Sequence, residues 1–267
     1  MKQLLRYEAP TNTGVSLSSD LSPRDISVVE VEEVYGELVR SGAIFLKGIA
    51  DEAAALKFAH RIGTIRPHRD SQPNGVTRVA PAPKGGVGLM GFSDEGLFPH
   101  TDRSVLSSPP CLLFLWCERA AERGGESLLV DGKRVYERLK RFNPAAFQSL
   151  TKSRSAVFAS DGNYLPSAIF ETIGDDRVRL RFRYDSLLYM TSELAEALPV
   201  FRGLVDATVM HFKLKAGQGY LVQNTRWLHG REPFQGDRQY GRIHLDPIIR
   251  HHRQLEGFSG TVHVRST

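Results

Sequence analysis

The sequence predicts an α+β, mainly β fold: a jelly roll (double-stranded β-helix) core with flanking helices, in one domain over residues 1–267. Three observations predict it. Helical periodicity is concentrated near the start and short strand-like runs fill most of the rest, an order that does not suit a βαβ repeat. Those runs are bounded by Gly, Pro, Asn and Asp. No Gly-x-Gly-x-x-Gly or phosphate-binding loop follows a strand. Composition agrees, since 41% hydrophobic and 24% charged residues are ordinary for a globular domain. β-rich single domains often reach this length.

Residues 1–20 are polar and read as an irregular segment. Ser22-Pro23 is a helix-start signal, and Val28, Val31, Val34, Tyr35 and Leu38 recur at helical spacing until Gly42. AIFLKG (43–48) reads as a buried strand. Asp51 caps a second helix through Ala53, Leu56, Phe58 and Ile62, ending at Gly63. The chain is then rich in Pro and Gly to about residue 98, with TRVA (77–80) as a strand inside it. Residues 82–98 read as a mobile active-site loop. PPCLLFLWCE (109–118) and ESLLVDG (126–132) are strand-like, with helices from Asp131 and from Asn143-Pro144. SRSAVFAS, SAIFETIG and RVRLRFRYD alternate as half-buried strands do. Ser192 opens a helical stretch that Pro199 interrupts and that resumes to about Phe212. GQGYLVQN, RWLHGRE and YGRIHLDPIIR complete the strands.

Lys and Arg number 35 against 30 Asp and Glu, a net charge of +5. No block of five basic residues occurs, so the footprint of a nucleic-acid binder is missing. The mild excess fits a solvated basic surface and is compatible with a basic pocket for an anionic small molecule. Cys111 and Cys117 lie six residues apart on one strand face, too far for a direct disulfide. They read as buried thiols of a reducing compartment. No long apolar run begins the chain or approaches the roughly 18 residues of a membrane span. The expectation is a soluble cytoplasmic protein with a small-molecule substrate, no nucleic-acid or membrane partner, and homo-oligomerisation left open.

His100-Thr101-Asp102 places two metal-ligand side chains at i and i+2, which point the same way on an extended segment. His229 is the candidate third ligand, 127 residues further on (229 − 102) and directly after a strand pattern. Two imidazoles and one carboxylate on one face leave three open octahedral positions, as non-haem iron(II) oxygenases need. Two would take a bidentate 2-oxo acid and one would take O2. Alone the pattern is weak, because His244-Leu245-Asp246 has the same form. That second copy ends a strand running after His229 and reads as a decoy. His60 in a helix and His68 in a loop read as a packing or surface residue and a solvated turn residue.

Context favours the first copy. GLFPHTDRS, SSPPCLLFLWC, GGESLLVDG and NTRWLHGREPFQGDRQYGR together resemble the TauD/TfdA (taurine dioxygenase and γ-butyrobetaine hydroxylase) family of Fe(II)/2-oxoglutarate oxygenases, from about residue 40 to 248. The resemblance implies Fe(II) held by His100, Asp102 and His229, with 2-oxoglutarate as cosubstrate and O2 as oxidant. It implies that Arg238, nine residues after His229, binds the distal carboxylate of 2-oxoglutarate. Ser127 would bond the same carboxylate, where the family usually carries Thr. Arg242 could bind an anionic substrate, share the 2-oxoglutarate or pair with a surface acid, and Arg231 could face outward. Asn224 would order the strand end before His229, with direct substrate contact the lesser reading. Phe98, Arg103, Arg183, Asp185 and Trp227 are candidates for the pocket lining, against sheet packing and cross-strand pairing. The basic candidates suggest an anionic substrate, and a paired Arg and Asp would suit an amino acid. Related halogenases lack the carboxylate that Asp102 supplies, so halogenation is not expected. The expected reaction is hydroxylation of an unactivated C–H with release of succinate and CO2. Desaturation, epoxidation or cyclisation at the same site, a zinc hydrolase using the same triad, and a non-catalytic jelly-roll binding module are the rivals.

Overall fold

The computed structural model describes residues 22–81, 90–174 and 176–261. Two mostly antiparallel sheets face each other. The larger runs, in spatial order, Arg24–Asp25, Ala43–Lys47, Gly219–Gln223, Leu112–Arg119, Gln239–Pro247 and Gly63–Ile65, with Thr77–Val79 also paired to Gln239–Pro247. The smaller runs Met210–Phe212, Ser127–Asp131, Trp227–Arg231 and Leu97–His100.

Side-chain alternation explains how the sheets stack. Phe45, Leu113, Leu115, Tyr220, Val222 and Tyr240 of the larger sheet meet Leu129, Phe212 and Trp227 of the smaller one. Their neighbours Leu112, Phe114, Trp116, Ile243 and Leu245 point the other way, against helices Val31–Ser41 and Glu52–Ile62. The outer face of the smaller sheet, with Leu128, Val130 and Leu228, is covered by helices Gly132–Phe142, Pro144–Thr151 and Ser192–Thr208. The strand Leu112–Arg119 is thus covered on both faces, which is why its sequence is continuously apolar. Asp51, Asn143 and Thr191 each accept a backbone N–H from the first turn of the helix that follows, fixing where those helices begin. Cys111 and Cys117 are buried free thiols. No helix among the described residues is long and apolar enough to cross a membrane.

Several elements depart from the expectation. The first helix begins at Val31, not at Ser22-Pro23. Arg24 and Asp25 instead pair with Leu46 and Lys47 at the sheet edge, and Asp25 accepts the Ser27 N–H and hydroxyl in a side-chain turn. Val28 is consequently exposed. Pro199 lies inside one uninterrupted helix, Ser192–Thr208, while Met210–Phe212 is a strand. Burial of Leu194, Ala197, Leu198, Phe201 and Val205 against the smaller sheet outweighs the one backbone bond that proline removes. The strand read through YGRIHLDPIIR stops at Pro247, and Ile249–Leu255 forms a helix. Residues 1–20 and 82–89 lie outside the described residues. Met90–Phe92 is a short 3-10 turn, and Leu97 and Phe98 belong to a strand.

Gly241 faces Trp116 across the central strand pair. A Cβ at Gly241 would lie 1.9 Å from Trp116 Cζ2, inside a fully buried ring. Gly241→Ala should therefore cost about 2 kcal/mol or more, read as a lower denaturant midpoint at unchanged slope. An unchanged midpoint would mean that Trp116 repacks without cost.

Candidate metal centre

The strand Trp227–Arg231 pairs with Leu97–His100 so that His229 lies directly opposite His100. Cross-strand partners project from the same face, and the two imidazole centroids are 4.4 Å apart. Asp102, two residues past His100, turns its carboxylate between them. His100 Nε2 is 3.5 Å from Oδ1 and His229 Nε2 is 3.7 Å from Oδ2. Ligand atoms of all three residues lie within 4.8 Å of one another.

Local hydrogen bonding prepares the donor atoms. His100 Nδ1 sits 3.0 Å from the Phe98 carbonyl, which assigns its proton to Nδ1 and leaves the Nε2 lone pair facing Asp102. Burial, and then the neighbouring His100, hold His229 well below the usual histidine range, so its imidazole is neutral. Its buried Nδ1 has no hydrogen-bond partner among the described residues. Burial by itself would raise Asp102. Arg242, His229 and hydrogen bonds with His100 and His244 together hold it well below the usual carboxylate range. A neutral His229 imidazole and an ionised Asp102 carboxylate are in the protonation states that a divalent metal requires. The donor set, two imidazoles and one carboxylate on one face, fits iron(II).

Asp102 is held at both ends. Its backbone N–H donates to Asn224 Oδ1 at 2.8 Å, and Asn224 Nδ2 donates back to the Asp102 carbonyl at 2.9 Å and to Pro110 O at 3.0 Å. Its Oδ2 accepts from Arg242 Nη1 at 2.9 Å and lies 2.8 Å from His244 Nε2. The Thr101 N–H donates to the Phe182 carbonyl at 2.8 Å, tying the intervening residue into the opposite wall. Arg181, almost fully buried, donates to Ser104 O at 3.0 Å and Ser107 O at 2.9 Å, and pairs with Glu171. Arg179 donates to Ser107 O at 2.9 Å. These two arginines staple the turn that follows Asp102.

A cavity of about 380 Å³ opens over the cluster. Arg238 and Ser127, both buried, line it. The Arg238 guanidinium lies 3.6 Å over the Tyr240 ring, its Nε is unpartnered, and no carboxylate pairs with it among the described residues. A buried cation without an acid is unfavourable, and this one fits the carboxylate of a ligand. Arg103 also lines the cavity, with φ +59° and no side-chain hydrogen bond or ion pair among the described residues. A non-glycine residue in that conformation is a form of backbone strain found at functional sites. Arg183 pairs bidentately with Asp185 at 2.7 and 2.6 Å in the cavity wall, and Phe98 lines it as well.

Other residues sit where the sequence did not place them. Trp227 is core, its Nε1 donating to Ser41 O at 3.0 Å, and it does not line the cavity. Asn224 is fully buried and spends its amide on backbone, so it positions Asp102 and cannot contact a substrate. Arg242 pairs with buried Asp102, an acid not among its three expected partners. Arg231 faces inward, buried, and donates to the Gly91, Ser93 and Glu95 carbonyls at the cavity rim. His244 is not a member of the donor triad, yet it touches the carboxylate at its centre. Its place two residues from Arg242, on the same strand face, was the available signal. Arg179 and Arg181 had no sequence signal beyond strand alternation. His68 is part of the cavity wall, not a solvated turn residue.

A family model described as "Taurine catabolism dioxygenase TauD, TfdA family" matches residues 7–246. Gamma-butyrobetaine dioxygenase of Homo sapiens is 30% identical over 164 residues, covering 55% of this chain and 42% of that protein. Dioxygenase str8 of Strobilurus tenacellus is 28% identical over 156 residues, covering 55% of this chain and 37% of that protein. The chain spans less than half the length of these curated relatives. An asparagine oxygenase solved with Fe(II), 2S,3S-3-hydroxyasparagine and succinate aligns with a TM-score of 0.68 at 21% identity, over 80% of this chain and 78% of that one. The non-heme iron oxygenase OrfP, solved with Fe and alpha-ketoglutaric acid, aligns at 0.64 and 17%, over 84% and 81%. At these identities the solved structures speak for the fold.

Asn224→Ala should loosen Asp102 and weaken divalent-metal affinity about tenfold or more, measured by calorimetric titration. An unchanged affinity would show that the Arg242 and His244 contacts hold the carboxylate without it. Burial, then Arg242, push His68 down to about 4 from 6.5. Because the unfolded chain binds that proton more readily, stability should fall as pH drops from about 6.5 to 4, by up to about 3 kcal/mol. The same titration of His68→Asn should be flatter over that window; identical curves would remove His68 as the source.

Proposed function

Because the chain belongs to the taurine catabolism dioxygenase TauD, TfdA family, we propose that it is an Fe(II)/2-oxoglutarate-dependent oxygenase. In this reading it hydroxylates an unactivated C–H of a small anionic or amino-acid-like metabolite, with release of succinate and CO2. The two facing sheets are its jelly roll, and a reducing cytoplasm suits the free thiols. The observation that carries the reading is Arg238, a buried guanidinium without an acid, in the same cavity as His100, Asp102 and His229.

Bound iron supplies the redox chemistry that couples 2-oxoglutarate decarboxylation to C–H oxidation by O2. The chain's residues bind and orient. His100, Asp102 and His229 would hold the metal on one face. Arg238 and Ser127, both buried, would take the distal carboxylate of 2-oxoglutarate, the guanidinium neutralising it. Arg231 fixes the 91–95 segment as a rim. Arg103, a cation of the wall without an ion pair among the described residues, is the candidate anchor for a substrate anion, and the Arg183–Asp185 pair offers both charges to a zwitterion. The 3-hydroxyasparagine bound in the solved asparagine oxygenase supports the amino-acid-like class.

Anaerobic addition of 2-oxoglutarate to the Fe(II) protein should raise a weak visible charge-transfer band. Losing one member of a buried charge pair costs about 2–5 kcal/mol, so Arg238→Ala should raise the half-saturating 2-oxoglutarate concentration at least about thirtyfold. Product mass then separates a gain of one oxygen (hydroxylation or epoxidation) from a loss of two hydrogens (desaturation). Absence of the band, with tight zinc binding and hydrolytic turnover, would overturn the reading, since a hydrolase uses the triad but has no need of Arg238.

A further inference from the structure

A second group of three metal-ligand side chains lies outside the cavity. Cys111 precedes the strand Leu112–Arg119, Asp246 stands near the end of Gln239–Pro247, and His252 lies on the helix Ile249–Leu255. Cys111 Sγ is 3.6 Å from His252 Nε2. Ligand atoms of all three lie within 4.8 Å of one another, and among the described residues this is the one such group besides His100, Asp102 and His229. We propose that Cys111, Asp246 and His252 form a second metal site, for a borderline divalent cation of the zinc class.

The donor chemistry chooses the ion. One thiolate, one imidazole and one carboxylate suit zinc and not the all-oxygen preference of magnesium or calcium. At zinc's bond lengths, a sulfur and a nitrogen subtending a tetrahedral angle stand about 3.5 Å apart, close to the distance between Cys111 Sγ and His252 Nε2. Glu256 Oε2 lies 4.0 Å from His252 Nδ1, placing a carboxylate behind the imidazole, where metal-bound histidines usually have one. Asp246 Oδ1 accepts the Cys111 N–H at 3.2 Å and Oδ2 accepts from Arg66. Each oxygen keeps a second lone pair, so these contacts hold the carboxylate without exhausting it.

Burial, then Asp246 and Glu256, push the Cys111 thiol up to about 12. Ion binding would replace its proton, released to solvent, with a charge that the two acids favour. The His252 side chain is 38% exposed, which gives the ion an entry and leaves a fourth position for water. The ion would fasten the last described helix to the ends of two central strands.

Cobalt(II) is the spectroscopic stand-in for zinc. Titrated anaerobically into the metal-free full chain, it should bind in two equivalents and produce an intense near-ultraviolet thiolate-to-cobalt band that zinc abolishes. Cys111→Ser should lose that band and one equivalent, whereas Cys117→Ser should keep both. His252→Gln gives a second route should Cys111→Ser fold poorly, and it should weaken the band. A His100→Ala/His229→Ala variant should keep the band and lose the other equivalent, so failure of the iron reading and failure of this one are told apart. A wild-type chain that takes one equivalent without a thiolate band, or a band that survives Cys111→Ser, would overturn the proposal and leave Cys111 and His252 joined only by a hydrogen bond.

Discussion

The antiparallel pairing of Trp227–Arg231 with Leu97–His100 is the constraint on which the site depends. It sets His229 opposite His100, and no other register brings both imidazoles to one face at contact distance. A one-residue slip would turn His229 into the apolar layer beneath the helices and leave Asp102 with one histidine. The register is itself fixed from the other side, where Trp227 through Arg231 pair with Asp131 through Ser127. The same strand, held between two neighbours, therefore carries the distal histidine and brings Arg231 opposite Ser127.

Around that pair the protein manages charge by position. Arg181, Arg179 and Arg226 are buried and paired with Glu171, Glu256 and Asp131. They brace turns and helix starts. Arg242 is spent on Asp102. Arg238 is buried, lacks such a partner among the described residues and lines the cavity. A desolvated cation left without an anion raises the free energy of the empty site. An anion placed against it would offset that cost.

The proximal histidine and aspartate were legible because their spacing is local. The i, i+2 relation needs only an extended backbone. Strands such as Leu112–Arg119 were legible because burial on both faces writes an unbroken apolar run. The first helix was misplaced because Ser22-Pro23 is a valid local start signal, but edge pairing with Leu46 and Lys47 captures Arg24 and Asp25 first. Pro199 was read as a break because the sequence shows the missing N–H and hides the apolar face that compensates for it.

The sequence by itself determined the candidate ligand types, their order and a mixed architecture of helices and many short strands, since these follow from residue chemistry and short-range periodicity. Tertiary structure alone decided that Asn224 grips the backbone of Asp102 from 122 residues away. It decided that His244 and Arg242 share one oxygen of that carboxylate, and that Trp227 is core. It also brought Cys111, Asp246 and His252 together from two strand ends and a helix. Those contacts join positions far apart in the chain, and sequence spacing carries no information about which distant hydrogen-bond donors will meet once the sheets have closed.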